Sequence, residues 1–170
     1  EWQPNYFSVE PEYLSSNEVF DATKGNNDSF KLLRVEGDRI FIGTRNRVHY
    51  LQFGKFKEIS TLDWVPDSIS TATCIGRGKK ECDNYIRVLV LKNESLYYIC
   101  GTHAYQPRCR HYIIQKNGEF QITKNDHDVG TGISPFNPNH NSTAIYVDGK
   151  IFAATVSDAD ERDPLILQKV

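Results

Sequence analysis

The four cysteines lie in two close pairs, and the chemistry that this spacing permits is oxidative cross-linking. Cys74 and Cys82 form one pair, and Cys100 and Cys109 form the other. Each pair could close a short disulfide loop, and such a loop adds about 2–3 kcal/mol on the chain-entropy model. Neither pair has the C-x-x-C spacing of a redox-active dithiol, so both pairs are predicted to be structural.

Three N-x-S/T triplets offer acceptor sites for N-glycosylation at Asn27, Asn93 and Asn141. Each lies at a predicted turn or loop edge. A single triplet is a weak signal, but three of them beside paired cysteines predict an extracellular protein. The alternative is a reduced cytosolic protein with buried thiols.

One segment concentrates acidic side chains between two predicted strands. Carboxylates in such a loop could contact a basic patch on a receptor, or could bind calcium, although the spacing is not that of an EF-hand. A plain solvated loop is the other interpretation. The candidate contact residues are Ser157, Asp158, Asp160, Glu161, Arg162 and Asp163.

A small basic cluster consists of Arg77, Lys79 and Lys80. It could engage a sulphated glycan or a lipid headgroup. The alternative is again a solvated loop, because three cations in a chain of net charge −2 do not by themselves make a binding site. The cluster is not a phosphate-binding P-loop, since Glu81 and Cys82 follow the lysines where that motif has Ser or Thr.

Catalytic constellations are missing from the sequence. The five histidines do not form an i, i+4 pair on a predicted helix, and no cysteine remains for zinc once both bridges form. There is no nucleophile elbow and no recognisable pair of acid and base carboxylates. The sequence therefore predicts a protein that is not an enzyme, with no metal, cofactor or small-molecule substrate.

Two further partners are excluded by composition. The net charge of −2 argues against a nucleic-acid binder. No apolar run reaches about 18 residues, the length that a membrane-spanning helix needs.

The elements that position these residues repeat along the chain. Residues 83–114 are predicted to form strand, turn, strand, disulfide-closed loop and strand. The same order recurs at 30–53 and 143–168, and the second strands end in the related strings IFIGT, YYICGT and IFAAT. A strand-built repeat of roughly 50–60 residues indicates propeller blades. The predicted fold class is therefore all-β, a partial β-propeller.

The predicted organisation of residues 1–170 has four parts. Residues 1–29 are an N-terminal segment, which could contribute a strand elsewhere in the ring. Residues 30–64 are the first blade, and 65–124 are the second blade with its disulfide loops. Residues 125–170 are a connection and an incomplete third blade. The stretch 66–84 is predicted to be a long connection, with no helix of useful length in the chain.

The chain is expected to be a piece of a longer protein. It contains no methionine, which indicates that a leading segment, such as a signal peptide, has been removed. Three incomplete blades also cannot close a propeller, and an open sheet edge invites aggregation.

The strings CIGRGKKECDNYIRVL and CGTHAYQPRCRHY resemble the semaphorin family very closely. Further matches are DSFKLLRVEGDRIFIGTRNRVHYL, PFNPNHNSTAIYVDGKIFAATVSD and DPLI, so the resemblance extends over about residues 20–166. It is most similar to the invertebrate membrane-anchored class. His103 stands where asparagine is usual, Ser134 stands where the family usually has cysteine, and Asn137 replaces an aspartate.

The resemblance implies the first two blades and most of the third blade of a seven-bladed sema domain. It implies an extracellular guidance ligand, secreted or the ectodomain of a single-pass membrane protein. Such a ligand dimerises, binds plexin receptors through the propeller, and signals in axon guidance and cell migration. Family interfaces use loops around the third and fourth blades, of which only third-blade segments such as 156–163 are present. The alternatives are a receptor-side sema domain, of the plexin or scatter-factor-receptor type, and a truncated decoy fragment.

Overall fold

Twelve β-strands and one short helix make up the described part of a computed structural model, which covers residues 20, 29–124, 127–160 and 162–170. The strands form three antiparallel sheets. The elements are β1 (Leu32–Glu36), β2 (Arg39–Gly43), β3 (Arg47–Gln52), β4 (Lys57–Asp63), α1 (Ser68–Gly76), β5 (Ile86–Leu91), β6 (Leu96–Gly101), β7 (Arg108–Ile114), β8 (Phe120–Ile122), β9 (Asp128–Val129), β10 (Thr143–Val147), β11 (Lys150–Val156) and β12 (Pro164–Lys169).

Each sheet follows the chain in order. The first sheet is β1-β2-β3-β4, the second is β5-β6-β7-β8 with β9 paired to β7, and the third is β10-β11-β12. β-branched and aromatic side chains dominate these strands, as expected of residues that fit a pleated, half-buried surface. This arrangement of successive antiparallel sheets confirms the all-β class and the partial β-propeller.

Aromatic packing joins the first sheet to the second. Phe41 on β2 is fully buried, and its ring stacks on Tyr50 and leans on Tyr97, each with centroids 5.0 Å apart. Arg39 donates a 2.9 Å hydrogen bond to the hydroxyl of Tyr97. A buried aromatic group of this size contributes both apolar burial and ring–ring contacts, so the two sheets are held as one core.

A second cluster joins the second sheet to the third. Val88, Val90 and Tyr98 of the second sheet pack with Ile151 and Ala153 of β11, and all five are buried. The β10–β11 turn is the Asp148-Gly149 hairpin that the sequence indicates. Both turn residues have positive φ, 49° and 77°, which matches the primed turns that suit twisted hairpins.

The up-and-down topology places alternate connections at opposite ends of the sheets. Short turns follow β1, β3, β5, β7 and β10, and we call this side the hairpin end. The longer connections follow β2, β4, β6, β8 and β11, and we call this side the long-loop end. Hydrogen bonds from Asn46 to Asp83 and from His103 to Asn84 tie three of the long connections together.

Helix α1 corrects the prediction that the connection 66–84 has no helix. Asp67 is its N-cap, and its carboxylate accepts bonds from the N–H (2.8 Å) and the hydroxyl (2.7 Å) of Ser70. At the other end Gly78 has φ +72°, while Lys79 donates to the carbonyl of Cys74. This is the Schellman ending, in which glycine takes the left-handed position.

The missed helix has a physical explanation. Its buried face carries Ser70 and Cys74, while Ile69 and Ile75 face the solvent. A search for an apolar stripe at helical spacing therefore finds nothing that indicates burial. The caps Asp67 and Gly78 were the available signal. Strand β9, within the connection predicted for 125–140, was also missed because two residues are too short for a pattern.

Candidate functional site

Both disulfides of the described chain lie at the long-loop end, with the predicted pairing. Cys74 and Cys82 link α1 to the start of the second sheet, with an S–S distance of 2.07 Å. Cys100 and Cys109 face each other directly across β6 and β7, with an S–S distance of 2.08 Å. Both bridges are buried, so they stabilise the base of the long loops.

The loop closed by Cys100 and Cys109 contains an unusual backbone turn. His103, Ala104 and Tyr105 all have positive φ, 42°, 57° and 58°. Each L-residue in this left-handed region costs about 1–2 kcal/mol. The turn is held by a 3.0 Å bond from the Gln106 N–H to the Thr102 carbonyl. Nothing in the sequence pattern indicated this turn, because it contains no glycine.

Asn84 is the hydrogen-bonding centre of the long-loop end. Its side chain is fully buried. The amide nitrogen donates to the Trp64 carbonyl at 3.0 Å, and the amide oxygen accepts from the His103 N–H at 3.0 Å. Its main-chain N–H donates to the side-chain oxygen of Asn46 at 2.8 Å. One side chain therefore connects the ends of β4 and β6 around the start of β5.

The side chain of His103 is buried, with 3% of its surface exposed, and its Nδ1 has no hydrogen-bond partner among the described residues. It packs against Trp64 with ring centroids 6.0 Å apart. Burial lowers the pKa of His103 to about 4, since the protonated ring would lose its hydration. The nearby carboxylate of Asp67 opposes this effect, and the positive charges of His127, Arg108 and Arg110 add to it.

Acidification is expected to destabilise the protein through His103. An unfolded histidine has a pKa near 6.5, so the unfolded state binds this proton first. The stabilisation is complete above pH 6.5 and decreases as the pH falls from 6.5 towards 4. Denaturant midpoints measured between pH 7 and pH 4 should show a shallower decline in His103→Asn than in the natural chain. Parallel declines in the two proteins would contradict this assignment.

The acidic and basic candidate loops border the same small cluster. Its buried members are Cys74, Cys82, Ala104 and Tyr105, and the half-buried Phe136 and Ala159 pack against them. Ala159 belongs to the acidic loop after β11. The Lys79 ammonium of the basic loop lies 5.1 Å from the ring centroid of Tyr105. Two loops distant in sequence therefore meet at one part of the long-loop end.

The acidic loop is organised by its own hydrogen bonds. The Asp158 carboxylate accepts from the backbone N–H groups of Asp160 (2.8 Å) and Arg162 (3.1 Å). The Arg162 guanidinium pairs with Asp160 at 2.9 Å, and the Ser157 N–H donates to the Asp163 carbonyl at 2.9 Å. Glu161 lies outside the described residues. The loop thus presents a fixed, mixed-charge surface, and its receptor contact stays a prediction.

The basic loop begins where α1 ends. Arg77 and Lys80 are exposed, and Lys79 is half-buried against Tyr105. The structure provides no glycan or lipid with which to test the predicted contact, so that role of the cluster stays a prediction.

Two of the three glycosylation triplets lie within the described residues, and they are at opposite ends of the sheets. Asn93 is exposed in the β5–β6 turn at the hairpin end, where its side-chain oxygen accepts from the Leu96 N–H at 3.1 Å. Asn141 is exposed just before β10 at the long-loop end. Asn27 lies outside the described residues. Glycosylation at these positions stays a prediction.

Arg87 fixes the loop that carries Asn141. Its guanidinium donates to the carbonyls of Pro138 and His140 and, at 3.0 Å, to the hydroxyl of Ser142. Burial lowers the pKa of Arg87 from its usual value, yet the value remains that of a cation. The bonds of this arginine replace its hydration and hold the connection before β10 against β5.

Groups of metal-ligand type do not converge in the described part of the chain: no cluster of three or more His, Cys, Asp or Glu side chains could hold an ion there. Within the same residues, no helix is both long and apolar enough to cross a membrane. The chemistry that the site offers is recognition through shape, charge and apolar contact.

Comparison with known proteins gives consistent relatives. The chain is 38% identical over 151 residues to Semaphorin-1A of Schistocerca americana, which covers 86% of this chain and 20% of that protein. It is 36% identical over 170 residues to Semaphorin-1A of Tribolium confusum, covering 97% of this chain and 23% of that protein. The chain belongs to the semaphorin family. No model of a known protein family matches it.

Solved semaphorin structures share its fold. The extracellular domains 1–2 of Drosophila Semaphorin 1b match with a TM-score of 0.74 and 33% identity, covering 84% of this chain and 27% of that one. A structure titled Drosophila Plexin A in complex with Semaphorin 1b matches with a TM-score of 0.73, 33% identity and the same coverage. The chain spans about a fifth of the length of the curated semaphorins that it matches.

One departure from the semaphorin pattern is visible in the structure. Ser134 is fully buried, and its hydroxyl has no hydrogen-bond partner among the described residues. A buried hydroxyl without a partner costs free energy, whereas a cysteine thiol behaves as a small apolar group. The site is therefore shaped for an apolar side chain, in agreement with the cysteine that the family usually has.

Proposed function

We propose that this semaphorin segment is part of an extracellular guidance ligand that binds a plexin-type receptor through its propeller. The main support is the 33% identity and TM-score of 0.73 over 84% of this chain to the structure titled as a complex of Plexin A with Semaphorin 1b. In the whole protein the binding would signal in axon guidance and cell migration. The natural protein is proposed to act as a homodimer, secreted or displayed as the ectodomain of a single-pass membrane protein.

The long-loop end supports this proposal. Long connections on a rigid sheet scaffold are the usual place for binding residues. Here two disulfides and the Asn84 hydrogen bonds fix those connections. The acidic loop around Asp158 and the basic loop around Lys79 border one cluster, so both signs of charge are available to orient a protein partner.

A cell-binding experiment tests the proposal. The natural full-length protein is displayed on cultured cells, and the soluble ectodomain of Drosophila Plexin A is added over a range of concentrations. Saturable binding above cells that display an unrelated ectodomain is the expected result. Binding of a soluble Semaphorin 1b ectodomain in place of the plexin would instead indicate a receptor-side sema domain and would overturn the proposal.

A further inference from the structure

Most of the large exposed apolar side chains are accounted for by the fold. Ile145, Val147 and Ile166 lie on the face of the third sheet that points away from the second sheet. In a propeller this face packs against the next blade. The exposed residues on α1 differ, because the helix lies in a connection at the long-loop end rather than between two sheets.

Helix α1 is built with its apolar face outward. Ile69 is 77% exposed and Ile75 is 61% exposed, and Val65, just before the helix, is 63% exposed. Its inner face is held by the disulfide of Cys74 and by the small side chain of Ser70. The helix therefore does not need its isoleucines for its own anchoring, and they remain available to another molecule.

Positive charge lies directly beside these isoleucines. Arg77 and Lys80 are exposed and have no ion-pair partner among the residues that the structure describes. The neighbouring carboxylates are already engaged: Glu81 accepts from the Tyr85 hydroxyl, and Asp83 accepts from the Asn46 amide at 2.8 Å. A surface that is apolar at its centre and cationic at its rim complements a partner with carboxylates around an apolar patch.

We propose that the outer face of α1, with Arg77 and Lys80, is a docking surface for the receptor ectodomain, on which it meets carboxylates around an apolar patch. This inference rests on the proposed function and names the part of the long-loop end that would carry it. The isoleucines would supply burial, and the two cations would supply orientation and a faster encounter. Binding through this surface weakens as salt is raised, because the exposed charges are screened.

The experiment compares matched variants of the natural full-length protein on cells, with the soluble ectodomain of Drosophila Plexin A as the probe. One variant is Ile69→Ser/Ile75→Ser, and another is Arg77→Glu/Lys80→Glu. The matched control is Lys55→Glu/Lys116→Glu, which changes the net charge equally at the hairpin end, where Lys55 and Lys116 lie exposed in short turns. Thermal unfolding and surface expression of each variant are measured in parallel.

A loss of affinity of at least tenfold in both helix variants, with less than a twofold change in the control, is expected. If the natural protein binds and both helix variants bind within twofold of it, the docking surface is wrong while the proposed function stands. If the natural protein does not bind the plexin, the proposed function fails and this inference fails with it. If the helix variants instead change only the self-association of the protein or its binding to vesicles of anionic lipid, the occupant is a second copy or a membrane and the proposal is overturned.

Discussion

Replacing Asn84 with alanine is expected to lower the free energy of unfolding by about 2–5 kcal/mol, because two buried partners lose their hydrogen bonds. The Trp64 carbonyl and the His103 N–H each lie 3.0 Å from the Asn84 side chain. A buried polar group that is left unsatisfied costs about 1–3 kcal/mol. The bonds that Asn46 makes to the main chain of Asn84 persist in the variant, so the loss is confined to these two groups.

The measurement is denaturant unfolding of the natural protein and its variants. Asn117→Ala is the matched control, since Asn117 is an exposed turn residue whose bonds reach only Glu119. The control is expected to change the unfolding free energy by no more than about 0.5 kcal/mol. A change below about 1 kcal/mol in Asn84→Ala would show that Asn84 is not the centre of the long-loop end.

Replacing Gly101 with alanine is expected to cost about 3 kcal/mol, the upper part of the range for inserting an atom into a filled site. A Cβ at this position would lie 2.0 Å from the Asn84 side-chain oxygen and 2.9 Å from the Tyr85 carbonyl oxygen. The Asn84 oxygen must move, and its bond to His103 is then lost. Denaturant unfolding of the natural protein measures this effect as well.

Gly76→Ala is the matched control for this prediction. A Cβ on Gly76 would meet nothing within 4 Å, so no loss of stability is expected. The double variant Asn84→Ala/Gly101→Ala makes the test sharper, because the two residues are in contact. Its cost should be smaller than the sum of the two single costs, since Asn84→Ala removes the oxygen that the methyl group introduced by Gly101→Ala would strike. Additive costs would refute the proposed contact.

The strands and the disulfides could be predicted because their signals are local. Asp148-Gly149 between two apolar runs indicates a hairpin by itself, and two close cysteine pairs leave few sensible pairings. Helix α1 was not predicted, because its apolar residues face outward and its buried residues are Ser70 and Cys74. Pattern methods assume that the apolar side of a helix is the buried side.

The candidate site was predictable only in pieces. The acidic and basic segments could be named from their charges, but their common border at Tyr105 and Ala159 depends on how the second and third sheets pack. The role of Asn84 depends on partners that lie 20 residues away at Trp64 and 19 residues away at His103. Contacts over such separations follow from sheet packing and leave no periodic trace in the sequence.

The left-handed turn at 103–105 has a consequence for the thermodynamics of association. A flexible loop loses conformational freedom when it is captured, and that loss opposes complex formation. Here the Cys100–Cys109 bridge and the Asn84 bond to His103 have already restricted the turn during folding. The long-loop end therefore meets its partner in a pre-organised shape, so that little ordering entropy is left to oppose the complex.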